Sequence, residues 1–199
     1  MRDFLDLMKR ARSYRRFDAS YKIGEDTVKT LLSAARLTPS GANRQVIRYF
    51  PITDGDGTAF MRTHSRWAAY LSEWGGPTEG ECPTAWILLL SPLAAEAPKL
   101  DLGIAAEAIV LAATAAGLGT CIFLSIERAA IAERFGIGED MRIDLAIALG
   151  KPSETVIVSD VTDGDIRYYR DEADRHVVPK RTLDELIYRP DDESKSKAT

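Results

Sequence analysis

Apolar residues recur at helical spacing in two stretches near the N-terminus. In residues 3–12, Phe4, Leu5 and Met8 share one side of a short amphipathic helix. In residues 25–37, Val28, Leu31, Leu32 and Ala35 repeat the pattern, and Glu25 and Asp26 suit the positive end of that helix dipole. Pro39 stops it. "PSGANR" reads as a loop by composition and "QVIRYFPIT" as a strand. A weaker period on Phe60, Met61, Trp67, Leu71 and Trp74 predicts a helix over 58–74, and "WGGPTEGECP" then breaks the chain. "TAWILLLSP", a short continuous apolar run, predicts a buried strand.

Asp101 is a plausible N-cap for "LGIAAEAIVLAATAAG", with Gly117 at its C′ position. This helix is apolar nearly all round and needs cover on most faces, which a subunit interface supplies. "TCIFL" reads as a strand, 127–135 as a helix, "RIDLAIALG" as a strand, "ETVIVSD" as a strand or extended arm, and "TLDELIY" as a last short helix. Helices and strands mix without a βαβ rhythm, which predicts an α+β layered fold. A single domain over 1–190 with a disordered polar tail at 191–199 is expected.

Composition narrows the partners. The 45% hydrophobic and 28% charged content is that of an ordinary globular chain, and the net charge of −4 argues against a general nucleic-acid binder. The stretch 108–126 carries no charge, but Gly117 and Gly119 divide it into a buried helix and a buried strand, so no membrane span is expected. The N-terminus interleaves charge with apolar residues, unlike a signal peptide, and the two cysteines, Cys82 and Cys121, lack CxxC spacing. A cytoplasmic protein with reduced thiols is the expectation. His64 and His176 have no neighbours at metal-ligand spacing, so no zinc site is expected.

One local feature stands against the acidic balance: "KRARSYRRFD" gathers Lys9, Arg10, Arg12, Arg15 and Arg16. Within it Arg12, Ser13 and Arg15 form an R-S-x-R group beyond the first helix. Guanidinium forks flanking a hydroxyl match a phosphate dianion, and a solvated basic helix end is the alternative. A second group, Ser40, Asn43 and Gln45 of "TPSGANRQ", places short polar side chains between a helix and a strand, where ligand contacts or plain loop composition both fit. No GxSxG, GxxxxGK[ST] or strand-following GxGxxG is present.

In order along the chain, "RSYRRF", "PSGANRQ", "DLGIAAE…AATAAGLGT", "IALGKP" and "PKRTLDELI" resemble the blocks of the FMN-dependent nitroreductase family, over nearly the whole chain from Phe4 to Ile187. The resemblance implies an α+β fold with a central mixed or antiparallel sheet flanked by helices, assembled as an intertwined homodimer with FMN at the interface. It implies that Arg12, Ser13 and Arg15 hold the FMN phosphate, with Lys180 and Arg181 as further cations. Ser40, Asn43 and Gln45 match the loop that contacts the flavin and its ribityl chain. The implied activity is NAD(P)H-dependent reduction of an electron-poor acceptor, such as a nitroaromatic or quinone, by a ping-pong hydride mechanism. Flavin-dependent dehalogenation, flavin modification, or FMN binding and redox sensing without turnover are the alternatives. The chain departs from the family at Gln45-Val46-Ile47, where Q-P-W is common.

Overall fold

Two long strands organise the first part of the chain, and the period-2 alternation of their side chains decides which helices cover which face. The computed structural model describes residues 1–190. Strand β3 (Ala85–Pro92) pairs antiparallel with β5 (Met141–Pro152), and β2 (Arg48–Ile52) pairs antiparallel with the other edge of β3. On its far side β5 pairs antiparallel with β4 (Gly119–Phe123), and the end of β5 also pairs antiparallel with β1 (Phe17–Asp18). Ala85, Ile87 and Leu89, with Leu145, Ile147 and Leu149, face helices α2 (Glu25–Arg36) and α4 (Lys99–Ala115). Trp86, Leu88 and Leu90, with Ile143, Ala146 and Ala148, face α3 (Gly55–Thr63) and α5 (Arg128–Phe135). The register shifts between Leu89 and Leu90, leaving Asp144 as an extra residue of β5; its carboxylate is held by Arg142 at 2.6 Å.

Most of the expected elements appear. Helix α4 ends as expected: Ala116 is its C-cap, Gly117 has φ +72°, and the Gly117 and Leu118 amides donate to Thr114 and Ala113. Its start differs, because Pro98 is the N-cap and Asp101 lies inside the first turn with its carboxylate turned to another loop. The helix over 58–74 is also corrected: α3 stops at Thr63. Beyond it Ser65 bridges Ile126 and the Arg66 amide donates to Ser125, so strand-like pairing replaces the helix. Trp67 then turns in beside Phe123 (4.6 Å between centroids) and Trp86 (6.1 Å), a buried packing energy that outweighs a weak helical period.

Two surfaces of this unit lack cover. Helix α1 (Arg2–Arg10) has no buried residue, and Phe4 and Leu5 are 52% and 53% exposed. A groove of about 560 Å³ runs between α4, β4 and β5, lined by Leu102, Ala106, Ile122, Leu124 and Leu145 and edged by Arg128. No helix among the described residues is long and apolar enough to cross a membrane.

The chain divides into two compact units, Met1–Thr155 and a second from Val156 onward. The second holds β6 (Val156–Asp160) parallel to β8 (His176–Lys180), with β7 (Tyr169–Arg170) antiparallel to β8. "ETVIVSD" is thus a strand rather than an arm. It ends in α6 (Leu183–Leu186), where Thr182 and Glu185 cap one another reciprocally. The tail expected to be disordered, 191–199, lies outside the described residues.

Candidate functional site

Helix α1 closes with the Ala11 amide on Leu7, and the chain then runs along the outer edge of β4. Ser13 forms a parallel bridge with Thr120, and the Tyr14 amide donates to the Thr120 carbonyl at 2.8 Å. Glu154, just past β5, accepts from the amides of both Arg15 and Arg16, the latter at 3.0 Å. The turn carrying the R-S-x-R group is therefore fixed from two sides before any ligand arrives.

Within that turn the donors are unequal. The Ser13 side of the turn is exposed, whereas Arg15 is 8% exposed and its guanidinium donates to the Ser13 carbonyl at 3.3 Å. Arg12 uses Nη2 to donate to the Met8 carbonyl at 2.9 Å, while its Nε is buried without a hydrogen-bond partner. A buried guanidinium N–H left unpaired is costly, and an anion brought within its reach would satisfy it. Arg16 turns elsewhere, towards Glu81 at 3.5 Å and the Trp74 ring. Beneath the turn lies Cys121, whose thiol burial pushes up to about 11, with Arg15 and Ser13 opposing that rise; it stays protonated at neutral pH. The donor set fits a phosphate monoester on charge, hydroxyl and orphaned-donor grounds.

Gly119 sets how closely the turn can sit. A Cβ there would lie 2.9 Å from the Tyr14 ring and 2.9 Å from Pro152. Gly119→Ala is expected to lower stability by about 1–3 kcal/mol, the usual cost of overpacking, and to displace the Ser13 turn. Thermal unfolding together with FMN titration would check it; a variant with wild-type values of both would mean that the turn has slack.

The second group sits on a loop that is tightly wound. Ala42, Asn43 and Gln45 all have left-handed backbone, at φ 52°, 54° and 49°. Asparagine tolerates that region, whereas alanine does so at a cost of roughly 1–2 kcal/mol. Ala42→Gly should therefore leave stability unchanged or raise it by about 0.5–1 kcal/mol, as read by denaturant unfolding. Local bonds brace the loop: the Gln45 amide donates to Ser40 Oγ (3.3 Å), Gln45 Nε2 to the Asn43 carbonyl (3.3 Å), and Arg48 Nη1 to the carbonyls of residues 45–47. Asn43 and Gln45 are exposed, and Ser40 is half-buried. Ser40 and Gln45 border a hollow of about 140 Å³ with Arg36, Tyr49 and Asp101. Val46 and Ile47, where the family often has Pro-Trp, pack half-buried against the core.

The structure does not bring the two groups together within one chain. Gly41 is tied to Asp101 in the first turn of α4, whereas Ser13 pairs with Thr120 beyond its last turn. Those 17 residues span about 25 Å. The sheet repeats the separation: Arg48 is level with Leu90 and Ile143, and Thr120 with Leu149, roughly 17–20 Å along β5. Lys180 ends β8, and Arg181 lies 3.7 Å from Glu185; both are exposed and belong to the second unit. Among the aromatics of residues 60–70, Trp67 packs half-buried on Phe123 and Trp86, Phe60 packs on His64 and Phe135, and Tyr70 is half exposed. Glu154 and the ligation of Gly41 by Asp101 were not legible, since neither residue sits in a motif of its own; only the spatial pairing marks them.

A family model described as "Nitroreductase family" matches residues 8–73 and 86–151. A nitroreductase family protein from Clostridium difficile 630 superposes with TM-score 0.65 at 17% identity, covering 94% of this chain and 98% of that one. A nitroreductase with bound FMN from Desulfitobacterium hafniense DCB-2 gives TM-score 0.63 at 21% identity, covering 86% and 100%. An FMN-dependent nitroreductase from Clostridium difficile R20291 gives 0.64 at 18%, covering 84% and 98%. No curated protein sequence matches. With the family model matching well over half of the chain, and solved relatives sharing its fold, the chain belongs to the nitroreductase family.

Proposed function

We propose that the protein is an FMN-dependent oxidoreductase that uses NAD(P)H to reduce an electron-poor acceptor. The observation that carries this reading is the Arg12–Ser13 corner, a prefixed turn in which Arg12 Nε has no hydrogen-bond partner and the next residue, Ser13, is exposed. Arg12 and Ser13 would hold the FMN phosphate, with Arg15 adding positive charge from beneath. Ser40, Asn43 and Gln45 would offer amide and hydroxyl groups to the flavin's polar edge. When bound, FMN supplies the hydride acceptance and donation, so the protein's task is to bind, orient and exclude water.

The separation of the two groups bears on assembly. One chain presents them at opposite ends of α4, so a cradle made of both takes the phosphate corner of one subunit and the loop of another. The uncovered faces of α1 and α4 favour the same homodimer. Relatives of the same fold, one with bound FMN and one described as FMN-dependent, support the cofactor.

Purification tests the reading. The protein should be yellow, release a chromophore with the mass of FMN on heating, and lose its colour within seconds when NADH or NADPH is added without oxygen. A colourless protein that refuses added FMN would overturn the proposal. A yellow protein that neither nucleotide bleaches would instead be an FMN-binding or sensing module.

A further inference from the structure

We propose that Asp101 is the positioning residue that holds the flavin-facing loop, residues 40–45, in its bound shape; this rests on the FMN reading above. Asp101 is 5% exposed, and the Gly41 amide donates to both of its carboxylate oxygens at 3.1 Å. Every other hydrogen bond recorded for residues 40–47 joins residues within five positions of one another. Among the described residues, then, Asp101 is the loop's one hydrogen-bonded tie to a distant part of the chain, the other link being Arg48 in the strand that follows.

The loop needs such a tie. Three of its non-glycine residues lie in left-handed backbone, a conformation that persists only where the surroundings impose it. Local bonds travel with the loop and cannot fix its place; a carboxylate on a long buried helix can. The first turn of α4 is also where a helix dipole favours negative charge, so the anchor is stabilised where it stands. The approach does not require glycine: a Cβ at Gly41 would meet the carboxylate at 3.7 Å, ordinary contact, so it is the amide rather than the missing side chain that matters. The carboxylate borders the same hollow as Ser40 and Gln45, which places it beside the contacts it would organise without making it one of them.

The test compares Asp101→Ala, Asp101→Ser and Asp101→Asn in the full chain. Amide hydrogen exchange over residues 40–46 in FMN-free protein is the first readout, and FMN affinity by flavin fluorescence the second. The alanine and serine variants should exchange at least about tenfold faster there and bind FMN about tenfold more weakly, about 1.4 kcal/mol. The asparagine variant keeps an acceptor oxygen for Gly41 and should stay within about threefold of wild type in both. Serine covers the case in which alanine does not fold. Unchanged exchange in the alanine or serine variant, or an asparagine variant as impaired as they are, overturns the proposal. Wild-type protein that binds no FMN would sink the functional reading, while the exchange result would still judge the anchor.

Discussion

Arg12→Ala is expected to weaken FMN binding by about 1.5–3 kcal/mol, roughly 10- to 150-fold, the range for a hydrogen bond to a charged group. Arg12 is the cleaner target in the turn because its Nη2 serves only the end of α1 and its Nε is unsatisfied. Arg15→Ala would confuse the measurement, since Arg15 is nearly buried between Ser13 and Cys121 and its loss also removes packing. Fluorescence titration at matched ionic strength checks the prediction. The wild-type affinity should fall with added salt more steeply than that of the variant, because one phosphate contact is gone. Equal affinity in both proteins would mean that no anion sits at this corner.

Leu124→Glu is expected to convert a dimer to monomers and to strip FMN from the protein. Leu124 is 66% exposed in a single chain, so the charge costs the fold little. It lies in the apolar groove beside α4, with Ile122, Leu102, Ala106 and Leu145. A partner covering that groove would take the carboxylate out of water, a penalty of up to about 3–5 kcal/mol where Lys99, Arg128 and Arg142 at the groove's edge leave it unpaired, or roughly 150- to 5,000-fold in dimer affinity. Sedimentation equilibrium and the visible spectrum are the measurements. A variant that unfolds cooperatively as a monomer and is colourless supports the account; a yellow dimer would move the seam elsewhere.

The central sheet was legible because "TAWILLLSP" is a short continuous apolar run, which reads as a buried strand, and "RIDLAIALG" reads as another strand; they become β3 and β5. The end of α4 was legible for a similar reason, because Gly117 supplies a left-handed C′ residue. Its start was misread: Asp101 looks like a cap by position, but Pro98 caps the helix and the carboxylate goes to Gly41, sixty positions away. Local sequence cannot display a partner at that distance. The same limit hid Glu154, whose carboxylate meets Arg15 and Arg16 across the fold. Trp67 and Trp74 kept a helical period by coincidence, and tertiary packing on Trp86 and Phe123 decided the segment instead. Within the candidate site, residue types were legible in both groups, whereas their placement at opposite ends of α4 was not.

That placement gives the account its most direct test. An Arg12→Ala subunit and a subunit with alanine at Ser40, Asn43 and Gln45 are tagged differently, and the mixed dimer is isolated. If each flavin is gripped by the phosphate corner of one chain and the polar loop of its mate, the mixed dimer regains a single tight FMN though neither parent binds one well. A mixed dimer as empty as its parents would contradict a shared cradle and return both halves of the site to one chain.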